Sequence, residues 1–592
     1  MQQDPRAHYT SKITIYQEQL KKMQALLLSS SMIRLAVFLM GVAAIYFLWG
    51  NTRVILAIIV AEIALFLFLV SRHSQLKYKR DFLQEMIAIN KTELRVLDRD
   101  FYDLPDGDTF KDPGHEFSQD IDLFGRGSFF QYLNRTGLAS GAQKLAALLT
   151  ANDIDDIPQK QEAVKELAEQ SDWRQEFRAT ARLVKANYDT RHILNWLKGY
   201  TNFVPKIMQW LPNIFTGISL VLFVLAYLDL VPGSLVLYWF FAGLILNGFF
   251  VKKVNDLWDK AGKTQTTFEQ YFKLMLLLEE QEFTSVYLKK EQDKVKSQKA
   301  KASAVIEQFS KMLGILDQRS NMLVGVFINS FFLSDLRQSY RIERWIALNA
   351  DEVANWFEVI AFFDAQNGLA NFSFNHPDYA FAEIKKGKHT LTAKALAHPL
   401  LDSKKAVAND FDIDSEQFFI ITGANMAGKS TFLRTVSLSI VMSNAGLPIC
   451  AKEAVYDPIK LITSMRTSDS LTDDESYFFS ELKRLQFIIN AIKTDTYFII
   501  LDEILKGTNS TDKAIGSRKF IEKLVASNST GIIATHDLSL CEAADELEDV
   551  KNYYFDAQII NDELFFDYTF KKGICQNMNA SFLLRKMQII DA

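Results

Sequence analysis

One stretch restricts what this chain can fold into more than any other: Phe418-Phe419-Ile420-Ile421-Thr422-Gly423-Ala424-Asn425-Met426-Ala427-Gly428-Lys429-Ser430-Thr431. A β-rich apolar run enters a glycine-bounded loop, and the loop opens into the helical pattern Thr431-Phe432-Leu433-Arg434-Thr435-Val436. This is the G-x-x-x-x-G-K-[ST] spacing in a strand–loop–helix setting. In such a loop the backbone N–H groups of Gly423, Ala424, Asn425, Met426, Ala427, Gly428 and Lys429 can surround phosphate oxygens, and the helix that follows adds its positive dipole end. The Lys429 ammonium is predicted to reach the β- and γ-phosphates, the Ser430 hydroxyl to ligate Mg²⁺, and Thr431 to close the loop. The cofactors expected are therefore ATP and Mg²⁺.

Two further apolar runs follow in the order such a site needs. Tyr497-Phe498-Ile499-Ile500-Leu501 ends in Asp502-Glu503. Taken alone, that is a strand meeting solvent. Behind a phosphate loop, Asp502 is placed to hold the metal shell and Glu503 to orient or deprotonate the attacking water. Gly531-Ile532-Ile533-Ala534-Thr535 ends in His536, at the carboxyl end of a strand, where α/β sheets keep their ligands. His536 is read as a γ-phosphate sensor, and Glu503, Lys429 and His536 form the catalytic set.

Taken together, these motifs resemble the ATPase domain of the MutS mismatch-repair family, whose loop carries the same central Asn425-Met426 pair. The likeness extends to His398-Pro399 and Ala408-Asn409-Asp410 upstream. It includes Leu501-Asp502-Glu503-Ile504 with Gly507, Thr508 and Asp512, and Ala534-Thr535-His536. Arg466 to Leu471 and Ser476 to Leu482 are similar to the family's signature segment. The resemblance covers about residues 390–590 and implies an ATP-linked homodimer, with Ser476 of one copy near the γ-phosphate of the other. It also brings Asn409 into the nucleotide site. The position that usually stacks on adenine is Ala406, so Tyr568 is the candidate replacement. Asp473-Asp474-Glu475 stands where the family's signature has a basic-polar lead-in. The Leu-Ser-Gly-Gly-Gln signature of ABC transporters is absent.

The N-terminal part departs from the family. Met32–Trp49 and Val54–Val70 are apolar runs joined by a short turn, as are Trp210–Leu228 and Ser234–Val251. Each approaches the ~20 residues that a bilayer needs, so the expectation is four spans in two hairpins. Glu62 is expected to face another helix, since a carboxylate in lipid is costly. Lys12, Lys21, Lys22 and Arg34 precede the first hairpin, and Arg72, Lys77, Lys79 and Arg80 follow it. Lys198 and Lys206 precede the second, with Lys252 and Lys253 after it, while the turns hold almost no Lys or Arg. The positive-inside rule then predicts a multi-pass protein of the cell membrane with both termini and the ATPase in the cytoplasm. A cleaved signal peptide is not expected, because the first apolar run starts late and lacks a small-residue cleavage site.

The expected fold class is an α/β P-loop ATPase domain of the ABC class, plus a mainly α-helical core or lever domain and two transmembrane hairpins. Its divisions are a cytoplasmic N-terminal helix (1–30), hairpin 1 (31–71), a first core part (72–208), hairpin 2 (209–251), a second core part (252–385) and the ATPase domain (386–592). Glu279 to Leu316 reads as one long helical stretch, and the apolar segments Phe327–Leu333 and Trp345–Phe363 as closing the core against the ATPase. No residue before 119 resembles the family's mismatch-reading module. The net charge of −5 supplies no global basic field for nucleic acid. Cys450, Cys541 and Cys575 lack metal spacing and read as buried thiols. Two functions follow: a membrane-held MutS-like ATPase that binds mismatched or damaged DNA for repair, or an ATP-driven mechanical or signalling module that never touches DNA.

Overall fold

The computed structural model describes residues 4–50, 52–184, 190–296, 301–317, 322–402, 404–466, 477–506, 509–560, 563–576 and 589. The apolar runs near the N-terminus belong to much longer helices. Pro5–Phe47 is one helix, started by the Asp4 side chain capping the Arg6 N–H with Pro5 in the first turn. Thr52–Leu97 runs back against it. At 1.5 Å per residue each is about 65 Å long, twice the hydrocarbon thickness of a bilayer. The outer halves are apolar and unburied, and the inner halves form a stem that docks on the rest of the chain. Glu62 lies against Gly41, the buried residue of the first helix's apolar half. The carboxylate is therefore turned to its partner helix, where a Cβ would collide with it.

The expected count of four spans is corrected. Among the described residues, two helices are long and apolar enough to cross a membrane, or three if Gly233–Gly248 and Val251–Lys260, bent by 64°, make one span. Leu211–Tyr227 has 17 residues, about 26 Å, short of a full crossing. Pro212 fixes its start, and the break at Phe249–Phe250 ends its partner.

A third short helix joins this second apolar unit, and it corrects another expectation. Met322–Phe332 packs on Leu211–Tyr227 and Gly233–Gly248 and does not close the core against the ATPase. Its backbone touches Gly243, where any side chain would clash with Ser330. The polar side chains point inward: Ser219 Oγ donates to the Phe331 carbonyl (2.7 Å), and Asn247 Nδ2 donates to those of Gly243 (3.0 Å) and Asn329 (2.9 Å).

The stretch read as one helix from Glu279 to Leu316 is broken. Val251–Glu280, Val286–Lys296 and Ala302–Asp317 are separate, because Glu166 draws the N–H groups of Thr284 and Ser285 into the gap (2.6 and 2.7 Å). These helices surround Ser334–Asn375, a helix of 42 residues that includes Trp345–Phe363 and is buried along most of its second half.

Its far end meets the C-terminal sheets. The larger sheet has the order Lys571–Lys572, Val550–Phe555, Phe418–Gly423, Thr530–Ala534, Tyr497–Asp502, Lys460–Ser464. All neighbours are parallel except the first pair. The three central strands are uninterrupted apolar runs because both faces are covered. A second, four-stranded sheet contains His389–Leu396 and Asn409–Asp414.

Candidate nucleotide site

Three central strands end on the same edge, and their last residues meet. Phe418–Gly423 is fully buried and leads into the glycine loop. Gly423 cannot carry a side chain, since a Cβ would fall 2.6 Å from the Phe555 carbonyl oxygen. Gly428 turns the chain at φ +103 into the helix Lys429–Asn444. Met426, also left-handed at φ 67, holds its side chain out to solvent.

Lys429 is drawn back over the loop. Its Nζ donates to the carbonyls of Gly423 (2.6 Å) and Ala424 (3.1 Å) and lies 3.3 Å from His536 Nε2. Burial lowers its pKa. The Ser430 hydroxyl donates to Asp502 Oδ2 at 2.9 Å, and burial raises the Asp502 carboxyl. Glu503 has a positive φ of 55, and its carboxylate sits 2.9 Å from His536 Nε2 and 3.4 Å from Lys506 Nζ. The His536 hydrogen bond, then the Lys506 charge, hold Glu503 down to about 2 against burial.

These side chains line one cavity of 650 Å³, together with His398, Leu401, Lys405, Ala406, Asn409, Phe555 and Tyr568. Asn409 organises its rim: its Nδ2 donates to the Tyr568 carbonyl (3.0 Å) and its Oδ1 accepts from the Phe570 N–H (2.8 Å). Tyr568 follows the strand Glu563–Phe566 at φ 52, partly exposed, with its ring beside Gly428. Ala406 and Tyr568 thus share the cavity. Ser476, Gly507 and Thr508 lie outside the described residues.

Three participants escaped the sequence reading. Lys506 pairs with Glu503, and Phe555 backs the loop, but neither sits in a motif. Glu481, 3% exposed, accepts the N–H of Leu505 at 2.5 Å. It ties the helix Tyr477–Ala491 to the turn that follows Asp502-Glu503. It falls within the signature-like segment from Ser476 to Leu482, which assigns no role to the acid.

Residues 419–587 match the family model "MutS domain V". That segment is what the chain shares with the MutS family. It is 30% identical over 202 residues to human "MutS protein homolog 4", covering 32% of this chain and 21% of that protein. To the "DNA mismatch repair protein MutS" of Fusobacterium nucleatum it is 29% identical over 291 residues, 48% of this chain and 29% of the relative. For the protein of that name from Methanococcoides burtonii the figures are 32% over 189 residues, 31% and 20%. The matched part spans less than a third of each relative's length. Residues before the match are where the chain builds its stem.

The domain is wired to the turns that follow the second stem helix. Asp120 Oδ1 and Oδ2 accept from the N–H groups of Arg466 (2.9 Å) and Met465 (3.1 Å), and Oδ2 also from Thr463 Oγ1 (2.6 Å). Arg466 grips Asp122 through both terminal nitrogens (2.6 and 2.7 Å), and Arg434, on the loop's own helix, pairs with the same Asp122 at 3.3 Å. On the other side Arg99, just beyond the second stem helix, donates to the Pro399 carbonyl at 2.6 Å. Pro399 adjoins His398, which lines the cavity.

Proposed function

We propose that this chain is a membrane-anchored MutS-type P-loop ATPase whose nucleotide cycle moves a membrane stem. The observation that carries this reading is the convergence of Lys429, Ser430, Asp502, Glu503 and His536 on one cavity at the carboxyl edge of a parallel sheet. The site suits Mg-ATP chemically. Gly423 to Thr431 offers backbone donors and an ammonium for the phosphates, and the Ser430–Asp502 pair offers two hard oxygens at the spacing a Mg²⁺ shell uses. Magnesium, when bound, would neutralise charge on the β- and γ-phosphates.

The residues then divide the work. Lys429 exchanges its loop carbonyls for phosphate oxygens. A carboxylate held near pH 2 is a weak base, so Glu503 acts mainly by orienting the attacking water and stays ionised throughout. His536 fixes Glu503 and stands beside Lys429, which places it to register the γ-phosphate. Asn409 and Tyr568 form the adenine end. Residues 386–592 act as the ATPase domain, and two such domains face each other across ATP, with Ser476 reaching the partner's nucleotide. The apolar hairpin 31–71 above the stem anchors the chain in the cell membrane, and the basic flanks keep the ATPase on the cytoplasmic side.

The output favoured by the structure is mechanical. The Asp120–Asp122 clamp and the Arg99–Pro399 bond join the cavity to the helices that carry the stem. DNA binding is the second reading, supported by the repair proteins among the relatives. A salt titration with duplex and mismatched DNA separates the two, since phosphate contacts weaken steeply with salt. No binding at low salt eliminates the DNA reading.

Equilibrium binding of labelled ATP with Mg²⁺ to the detergent-purified full chain tests the nucleotide site itself. Wild type should retain nucleotide, and Lys429→Ala should lose it. Glu503→Gln should bind normally, hydrolyse on the order of a hundredfold more slowly, the scale of misplacing the attacking group, and crosslink as a dimer. Hydrolysis at the wild-type rate by Glu503→Gln would refute its assignment.

A further inference from the structure

A second cationic site lies far from the nucleotide cavity, at the base of the short apolar unit. The helices Ala302–Asp317 and Ser334–Asn375 leave between them a groove of 680 Å³. Lys311, Arg341 and Arg344 line it together with apolar Met312, Ile315 and Leu348. Leu348 is 70% exposed and Ile315 41%. Lys311 pairs with Glu307 on its own helix at 2.6 Å. Among the described residues no carboxylate pairs with Arg341 or Arg344. The groove also contains a buried acceptor: Gln338, 5% exposed, has no hydrogen-bond partner at Oε1. Such an acceptor can take a hydrogen bond from water or from a bound group.

The groove's depth follows from its neighbours. Ser334–Asn375 begins where Met322–Phe332 ends, and that apolar helix exposes Val326 and Phe327. Arg337 donates to the Pro212 carbonyl (3.0 Å) and to Thr216 Oγ1 (2.8 Å), and Tyr340 OH to Gln209 Oε1 (3.4 Å). This level of the long helix is therefore the level of Trp210, which is half exposed where the apolar helix begins. An exposed Trp beside a Tyr at the end of an apolar helix marks a membrane–water interface. Arg341 and Arg344 lie about one turn beyond it. A headgroup layer is roughly 5–8 Å deep on each side, which puts both guanidinium groups among lipid phosphates, with Leu348 one further turn along the helix on the water side of them.

We propose that this groove binds an anionic phospholipid. Arg341 and Arg344 take its phosphate. The inference rests on the membrane reading above and adds a lipid class to it. The full chain is tested by flotation with phosphatidylcholine vesicles. Native mass spectrometry from micelles containing equal phosphatidylcholine and phosphatidylglycerol then shows which lipid stays bound. Wild type should float with the vesicles and retain phosphatidylglycerol selectively from the mixed micelles. Arg341→Gln/Arg344→Gln should still float but lose that retention on the order of twentyfold, the weight of two basic side chains at an anionic surface, and Arg341→Lys/Arg344→Lys should keep most of it. Flotation with no headgroup preference, or equal preference in the Gln variant, overturns the lipid site alone. Failure to float at all overturns the membrane reading with it. Competition by soluble glycerol phosphate as strong as by the lipid overturns the lipid as source. Loss of duplex-DNA binding in the Gln variant without loss of lipid assigns the groove to nucleic acid instead.

Discussion

Glu93 fastens the stem to the rest of the molecule, and replacing it by Gln should release it. Its carboxylate is fully buried on the second stem helix, about 35 Å below the apolar end at Val70. It accepts from Arg135 Nε and Arg178 NH1 (both 2.8 Å), Asn371 Nδ2 (2.9 Å) and Asn375 Nδ2 (3.0 Å). The two asparagines belong to the long central helix, and Asn375 also accepts from Tyr9 OH of the first stem helix at 2.6 Å. Burial pushes the Glu93 carboxyl up, but the charges of Arg135 and Arg178 outweigh it and hold the group at about 2. A folded value below the unfolded one stabilises the protein above about pH 4.3, and that contribution is lost as pH falls toward 2. The shift corresponds to about 3 kcal/mol at neutral pH. The cost of leaving a buried ion pair without one partner, roughly 3–5 kcal/mol, agrees. Glu93→Gln keeps the shape and strands two guanidinium groups. Urea denaturation followed by a probe on the stem should show that loss, with a weaker dependence on pH below 4. Glu93→Gln/Arg178→Gln should recover part of it, because one stranded charge is gone. A loss below about 1 kcal/mol, the level of an exposed pair, would refute the claim that this network fastens the stem.

Two further outcomes follow. Asp364, buried on the central helix and accepting from the N–H groups of Gly137 and Leu138, is pushed up to about 7 by burial. A raised folded value means stability falls as pH climbs from about 4 to about 7, so thermal scans of Asp364→Asn should lack that part of the decline, and an unchanged profile would contradict it. Glu481→Ala removes the acceptor of the Leu505 N–H and should slow ATP hydrolysis several-fold with nucleotide affinity nearly unchanged. Equal loss of both would mean that Glu481 supports the fold and does not position Glu503.

The site was readable where its chemistry is local. The spacing of Gly423, Gly428 and Lys429, and the acids and histidine ending two apolar strands, follow from a loop and strand ends that any short window contains. The Glu93 network was not readable, because its partners lie 42 to 282 residues away, and a glutamate among Lys91, Thr92 and Arg95 looks like a solvated helix face. The short helix Met322–Phe332 misled for a different reason. At 11 residues an apolar run has the length of a core helix, and only its neighbours Gly243, Ser219 and Asn247 show that it belongs to the apolar unit. Likewise, the break near Thr284 is set by Glu166, an acceptor on another helix.

Hydrogen exchange on the full chain, with and without Mg-ATP, tests the link from cavity to membrane in one experiment using Glu503→Gln to hold the bound state. The account predicts slowed exchange at 423–431 together with a change at 86–99, where the second stem helix meets the Glu93 network and Arg99. Protection confined to the glycine loop, with the stem unmoved, would contradict it.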